Sequence, residues 1–279
     1  MLFLRQLRLE LLKLFARKRT YLGFAAFFCM EIAVLILFNR PGPRAGFRHM
    51  IEKNGFGFDE YYSGFTLAML MVHSTALLLG SLYLSLVAGD LVAKEVEEGT
   101  MRMVLCRPVS RLRIMVLKYF AAMIYTFVLV EFIGLTALAA GLAYRHSGGL
   151  FVIDPPEHIF ALVPPERALR VYMESLPLLA FSMATVSSIG FLCSCCNMKP
   201  AAASILTLSV VFLDYIFRNI PYFESLKGYF ITTHMAAWMH CFEAYPPWSK
   251  MIVDFTYLAG VDITCLILGA AIFMRRDLK

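Results

Sequence analysis

Six runs of mostly apolar residues dominate this chain, each about the 20 residues that a helix needs to cross the hydrocarbon of a bilayer. They lie at Tyr21 to Phe38, Gly64 to Ala88, Tyr119 to Leu142, Ser175 to Cys196, Ala201 to Phe217 and Ile252 to Phe273. Runs of this kind must be helical, because lipid offers no hydrogen-bond partner to an open strand edge. Hydrophobic residues make up 59% of the 279 and charged ones only 16%, against roughly 25% charged in an average soluble domain. Disorder and ordinary water-soluble enzyme folds are therefore excluded, and an all-α integral membrane protein with six transmembrane helices is expected. The first run does not read as a cleavable leader: a long basic stretch precedes it, and Asn39-Arg40-Pro41 follows where a small-residue cleavage site would stand. Seven cysteines, an odd number mostly in apolar stretches, do not form a disulfide framework.

The positions of Lys and Arg orient such a chain. With the N-terminus inside, segments 1–20, 89–118, 194–200 and 274–279 carry 16 of the 26 Lys and Arg, while the longer outside segments 39–63, 143–174 and 218–251 carry 10. This density favours both termini in the cytosol, with the reverse topology as the weaker alternative. Ahead of the first span, Leu4, Leu7, Leu11 and Leu14 recur at helical spacing among Arg5, Arg8, Arg17, Lys18 and Arg19. Residues 1–20 thus read as an amphipathic elbow helix on the inner surface, followed by a six-span transmembrane domain, 21–279. A plain positive-inside anchor would explain the charges but not the leucine spacing. The outside loops are too short for a domain of their own. Pro41-Gly42-Pro43, Pro155-Pro156, Pro164-Pro165 and Pro246-Pro247 mark turns, Glu166 to Glu174 is expected as a short helix, and Tyr229 to Phe242, with Trp238, as an interfacial or re-entrant piece.

The most informative segment is the inside loop 89–118. Lys94 and Glu98 stand one helical turn apart, so the second span is expected to continue out of the membrane as a polar helix that Gly99 ends. Thr100 can cap a short helix over Met101 to Cys106, which stops before Pro108, and Ser110 can cap a helix rising through Lys118 into the third span. The product is a knob carrying Met101, Met103, Val104 and Leu105 among charges. Apolar side chains there suit docking on a cytosolic partner, with a hairpin lying flat on lipid as the weaker alternative.

Gly89, Glu95, Gly99-Thr100, Leu105, Arg107-Pro108-Val109-Ser110-Arg111 and Lys118 resemble the pattern around the coupling helix of ABC-2-type ATP-binding-cassette permeases, also called type V exporters. The basic elbow, the six spans, the re-entrant piece before the last span and the tail Phe273-Met274-Arg275-Arg276-Asp277-Leu278 are similar in layout. The resemblance implies a multi-pass permease subunit in a bacterial cytoplasmic membrane. It would pair with a second permease subunit, homo- or heteromeric, and with cytosolic ATPase subunits that bind the ATP and Mg. Glu95, Glu98, Thr100, Arg102, Arg107 and Arg111 would then contact or position the ATPase.

No catalysis is expected of the chain itself. It has no Gly-Lys dipeptide for a phosphate loop and no His-Glu-x-x-His, and nothing in it suggests a nucleic-acid partner, a cofactor or a metal. Cys193, Cys195 and Cys196 read as small packing residues, and His240 with Glu243 as a structural hydrogen bond. Glu31, Glu131 and Asp262 fall near mid-span, where an ionised group costs about 2.5–3.5 kcal/mol. They are either neutral acids bonded to a neighbouring hydroxyl or, with His73, part of a path for a cationic or amphipathic substrate. An ion- or proton-coupled secondary transporter using these acids is the alternative function.

Overall fold

The computed structural model describes residues 2–106, 110–157 and 159–276. Helix α1 (Leu2–Phe15) turns at Ala16-Arg17 into α2 (Lys18–Phe38). The Thr20 hydroxyl closes the corner by donating to the Leu14 carbonyl at 2.6 Å. Leu14 is buried and Leu7 and Leu11 pack on the core beside it, whereas Leu4, of the same expected face, stays exposed with Leu9 and Leu12.

Pro41-Gly42-Pro43 is not the expected turn. It opens α3 (Pro41–Lys53), because a first-turn proline lacks only an N–H that the helix would leave unbonded anyway. After α4 (Phe58–Tyr61) comes α5 (Gly64–Thr75), capped by the Ser63 hydroxyl, then a π-helical turn at Ala76–Gly80 and α6 (Ser81–Glu97). Helix α7 (Thr100–Leu105) leads to α8 (Arg111–Tyr144). With 34 residues, α8 is about 50 Å long and overshoots a hydrocarbon core of about 30 Å.

A two-stranded antiparallel hairpin follows, which the sequence reading lacks: β1 (Leu150–Asp154) pairs with β2 (Ile159–Val163), Leu150 opposite Val163. Pro155-Pro156 sits at its tip as the expected turn, flanked by two strands. Next, α9 (Pro165–Cys195) is one continuous helix, correcting the separate short helix at Glu166 to Glu174. Then come α10 (Pro200–Arg218), a 3-10 segment Pro221–Tyr229, α11 (Ile231–Met235), a second 3-10 segment Ala236–Phe242, and α12 (Trp248–Arg275).

The chain is a helical multi-pass membrane protein. Among the described residues, α2, α8, α9, α10 and α12 are long and apolar enough to cross a bilayer. The pair α5 and α6, bent by 41°, makes a sixth span if taken as one. Helix α9 is central, packed on α6, α8, α10 and α12. Close crossings need glycine: a Cβ on Gly190 would fall 2.6 Å from the Ala88 Cβ, and one on Gly89 would fall 2.9 Å from the Ser204 backbone nitrogen.

Contacts of α8 with α1 and with the end of α12 bring both chain ends to one end of the bundle, the terminal end. The opposite end carries the hairpin and an aromatic cluster. There the Tyr62 hydroxyl donates to the Phe38 carbonyl at 2.6 Å, the Tyr62 ring stacks on Phe58, and Arg48 and Arg145 lie over the Phe58 and Tyr62 rings.

Candidate functional site

At the terminal end, the backbone between α6 and α8 forms a short, sharply defined protrusion. Gly99 takes φ +72°, a left-handed geometry that suits glycine at a helix end. The Thr100 hydroxyl donates back to the Glu95 carbonyl at 3.2 Å and so ties the start of α7 to α6. On α7 itself Met101 is fully buried and Met103 is 67% exposed, so one methionine anchors the helix while the other faces away. The Ser110 hydroxyl accepts from the Arg113 N–H at 3.3 Å and starts α8 as expected. Arg102 lies on α7, and Arg107 lies outside the described residues.

Two clamps hold this protrusion. The first is a buried ion-pair cluster. Lys118, only 2% exposed, puts its Nζ 2.7 Å from Glu95 Oε1 and 3.2 Å from Glu10 Oε2, and Lys13 Nζ lies 2.7 Å from Glu10 Oε1. Three elements (α1, α6 and α8) thereby converge on one ammonium. Burial pushes the Glu10 carboxyl up, but Lys118 and Lys13 outweigh it and hold it below the ordinary glutamate range.

The second clamp is Arg111, whose Nη1 donates to the carbonyls of Arg276 at 3.1 Å and Met274 at 3.4 Å. A guanidinium there satisfies carbonyls that a helix C-terminus leaves open and complements its negative dipole end. Arg276 in turn donates to the Cys196 carbonyl at 3.2 Å and to Asn197 Oδ1 at 2.7 Å, joining the foot of α9.

The residues singled out from sequence therefore divide. Glu95 is turned inward on Lys118, and Arg111, itself exposed, is bonded to the end of the last helix. Glu98 is exposed, 3.8 Å from Lys94, and Thr100 is half-buried. Sequence reasoning missed Glu10, Lys13 and the pairing role of Lys118. A single intramolecular contact over 108 residues leaves no local periodicity to read, although Lys118 at the apolar edge of a span was a visible signal.

The intramembrane acids fall into two places. Glu31 is fully buried and accepts the Thr136 hydroxyl at 3.0 Å, while its Oε2 has no partner among the described residues. Glu131 is half-buried, and both acids lie within electrostatic reach of the Tyr172 hydroxyl. Asp262 belongs to a different group with Ser188 and Thr185. There the Tyr119 hydroxyl lies 3.0 Å from Ser188 Oγ and donates to the Asp262 carbonyl at 3.3 Å.

His73 is at neither place; it lines a cavity at the far end with Asp154 and Trp238. Cys193 and Cys195 are buried and unpaired, and His240 Nδ1 lies 2.5 Å from Glu243 Oε1. Among the described residues no three His, Cys, Asp or Glu are grouped to hold a metal.

Comparison with known proteins adds one finding. Residues 6–214 match the family model described as ABC-2 family transporter protein, from within α1 to within α10. No curated protein matches the chain.

Proposed function

Because this chain belongs to the ABC-2 family of transporter proteins, and is thus an ABC transporter permease, we propose that α7 is the coupling helix through which a separate ATPase subunit drives it as an exporter. On this reading α1 is the elbow helix, residues 1–20 lie along the inner membrane surface, and residues 21–279 form the transmembrane domain. Both termini and α7 face the cytosol of a bacterial cell. A second permease subunit, the same or a different chain, completes the translocation unit in the plane of the bilayer. The exposed apolar faces of α10 (Ile205, Leu213, Ile216) support a lipid-embedded assembly. ATP and Mg belong to the ATPase.

The observation that carries the proposal is the clamping of α7's two flanking helices to the rest of the terminal end. Lys118 joins α8 to α6 and α1, and Arg111 joins α8 to α12. A push on α7 therefore cannot be absorbed by the loop alone. It moves the feet of α6 and α8 together, and their long rigid helices carry that displacement through the bilayer. Glu98, Thr100, Arg102 and Arg107 are the side chains on or beside the protrusion that we assign to the ATPase contact, with Arg107 making charge-assisted bonds. Glu95 and Arg111 hold the protrusion in place. Glu31, Glu131, Asp262 and His73 remain candidates for the cargo path.

Charge reversal of Arg107 tests the assignment. Such bonds are worth about 1.5–3 kcal/mol each, so Arg107→Glu is expected to lower transport per ATP hydrolysed by about tenfold or more with the permease still folded. Unchanged coupling in a reconstituted permease–ATPase complex would count against it.

A further inference from the structure

At the terminal end, the corner between α1 and α2 and the facing side of α6 border a groove of ≈ 260 Å³. Its two walls belong to different packing units. Helix α2 packs on α5 and α8, whereas α6 packs on α9 and α10, which leaves a gap between them. Leu22 and Phe27 stand on one wall and Leu82 and Leu86 on the other. Leu22, Leu82 and Leu86 are exposed, so the groove opens sideways out of the bundle. Its floor is the Tyr83 ring against Gly23, where a Cβ would fall 2.2 Å from the ring. The Tyr83 hydroxyl is engaged with that of Tyr125 at 3.0 Å, so the floor presents ring carbon.

The depth of the groove matches one leaflet. Its lining runs along α2 from Arg17 to Phe27 and along α6 from Asp90 to Leu79, about 15 Å in each case. That is half of a hydrocarbon core of about 30 Å. At the mouth stands Arg17, half-buried at the start of α2. Among the described residues its guanidinium makes no hydrogen bond or ion pair, and Lys18 beside it is exposed. The acid in the lining, Asp90, is buried and already engaged. Glu10 and Glu95 are held by Lys118 and Lys13. The charge on offer at the mouth is therefore positive.

We propose that this groove is a binding site for an anionic phospholipid of that leaflet, its phosphate on Arg17 and one acyl chain between α2 and α6. A guanidinium matches phosphate oxygens with a bidentate fork, and an apolar groove without polar partners does not hold water. A flat helix face would be covered by exchanging lipid. A concave one, as deep as a leaflet and closed by an unpaired cation, selects a single molecule. The proposal needs only that α2 and α6 cross the bilayer, so it holds or fails independently of what α7 touches.

Native mass spectrometry of the detergent-solubilised permease, titrated with phosphatidylglycerol and with phosphatidylcholine of the same chains, tests the site. The first phosphatidylglycerol is expected to bind about tenfold more tightly, because choline brings a further cation to Arg17 and Lys18. Arg17→Gln should reduce phosphatidylglycerol to the phosphatidylcholine level. Ala26→Trp, which fills the groove, should weaken both lipids, and Arg5→Gln, an exposed cation of α1 outside the lining, should change nothing. Equal binding of the two lipids, equal losses in Arg5→Gln and Arg17→Gln, or displacement of the lipid by glycerol phosphate alone would overturn the proposal. Because Arg17 makes no side-chain bond within the chain, its replacement spares the fold, and the comparison with Arg5→Gln decides the matter even if Ala26→Trp folds poorly.

Discussion

Lys118→Met is expected to be the most damaging single change at the terminal end, lowering stability by about 3–5 kcal/mol. It would leave Glu10 and Glu95 facing each other, largely buried, with their shared ammonium gone. The pH dependence should weaken with it. In the native cluster Glu10 is held below its ordinary value, so its contribution is complete above the range where a free glutamate titrates. That contribution drains away as pH falls through the depressed value. Native protein should thus melt earlier as pH falls below the ordinary glutamate range, whereas Lys118→Met, in which Glu10 keeps only Lys13 as its partner, should show a weaker loss over the same interval.

Adding Glu10→Gln and Glu95→Gln removes the charges altogether and should recover most of the loss, because a neutral replacement of a whole buried cluster costs far less than breaking it. A thermal-unfolding series over pH for the native, single and triple variants checks this. A Lys118→Met protein within 1 kcal/mol of native, with the native pH trend, would mean that the cluster is a surface ornament. If the cluster also transmits force, the triple variant should fold well and still couple poorly.

The second large effect lies at the crossing of the second and third spans. Gly141 of α8 and Gly64 of α5 meet backbone to backbone. A Cβ on Gly141 would sit 2.3 Å from the Gly64 carbonyl oxygen, and one on Gly64 would sit 2.8 Å from that of Gly141. Neither obstacle is a side chain that can swing aside, so the helices must part along their length. Gly141→Ala is expected to destabilise by about 1–3 kcal/mol or more and to lower the yield of monodisperse protein. Gly260→Ala in α12 is the internal control: nothing lies within 4 Å of its Cβ, and the exchange should be neutral or gain up to about 1 kcal/mol. Equal behaviour of the two variants would remove close packing as the reason for glycine at this crossing.

What could be read from sequence followed from strong local signals. Apolar length located the spans, and positive φ at Gly99 and the Ser110 cap agree with the breaks expected on either side of α7. Three failures have separate causes. The runs Leu150–Asp154 and Ile159–Val163 are too short to register against 20-residue spans, although their β-branched and aromatic residues flanking Pro155-Pro156 are a hairpin signal. Pro41 is ambiguous in the sequence because proline marks both turns and first helical turns. Glu95 and Glu98 are alike in the sequence, three residues apart; only the position of Lys118 shows that Glu95 faces inward and Glu98 outward. The three mid-span acids also could not be sorted from spacing, and the structure separates Asp262 from the pair near Tyr172.

Met103, the exposed methionine of α7, is where contact with the ATPase is read most directly. A photo-crosslinking amino acid at position 103, activated in intact cells, should form a covalent adduct with one ATP-binding-cassette ATPase, identified by its nucleotide-binding sequence, and the yield should change when ATP is trapped. Adducts confined to lipid would place α7 on the membrane surface and contradict the account.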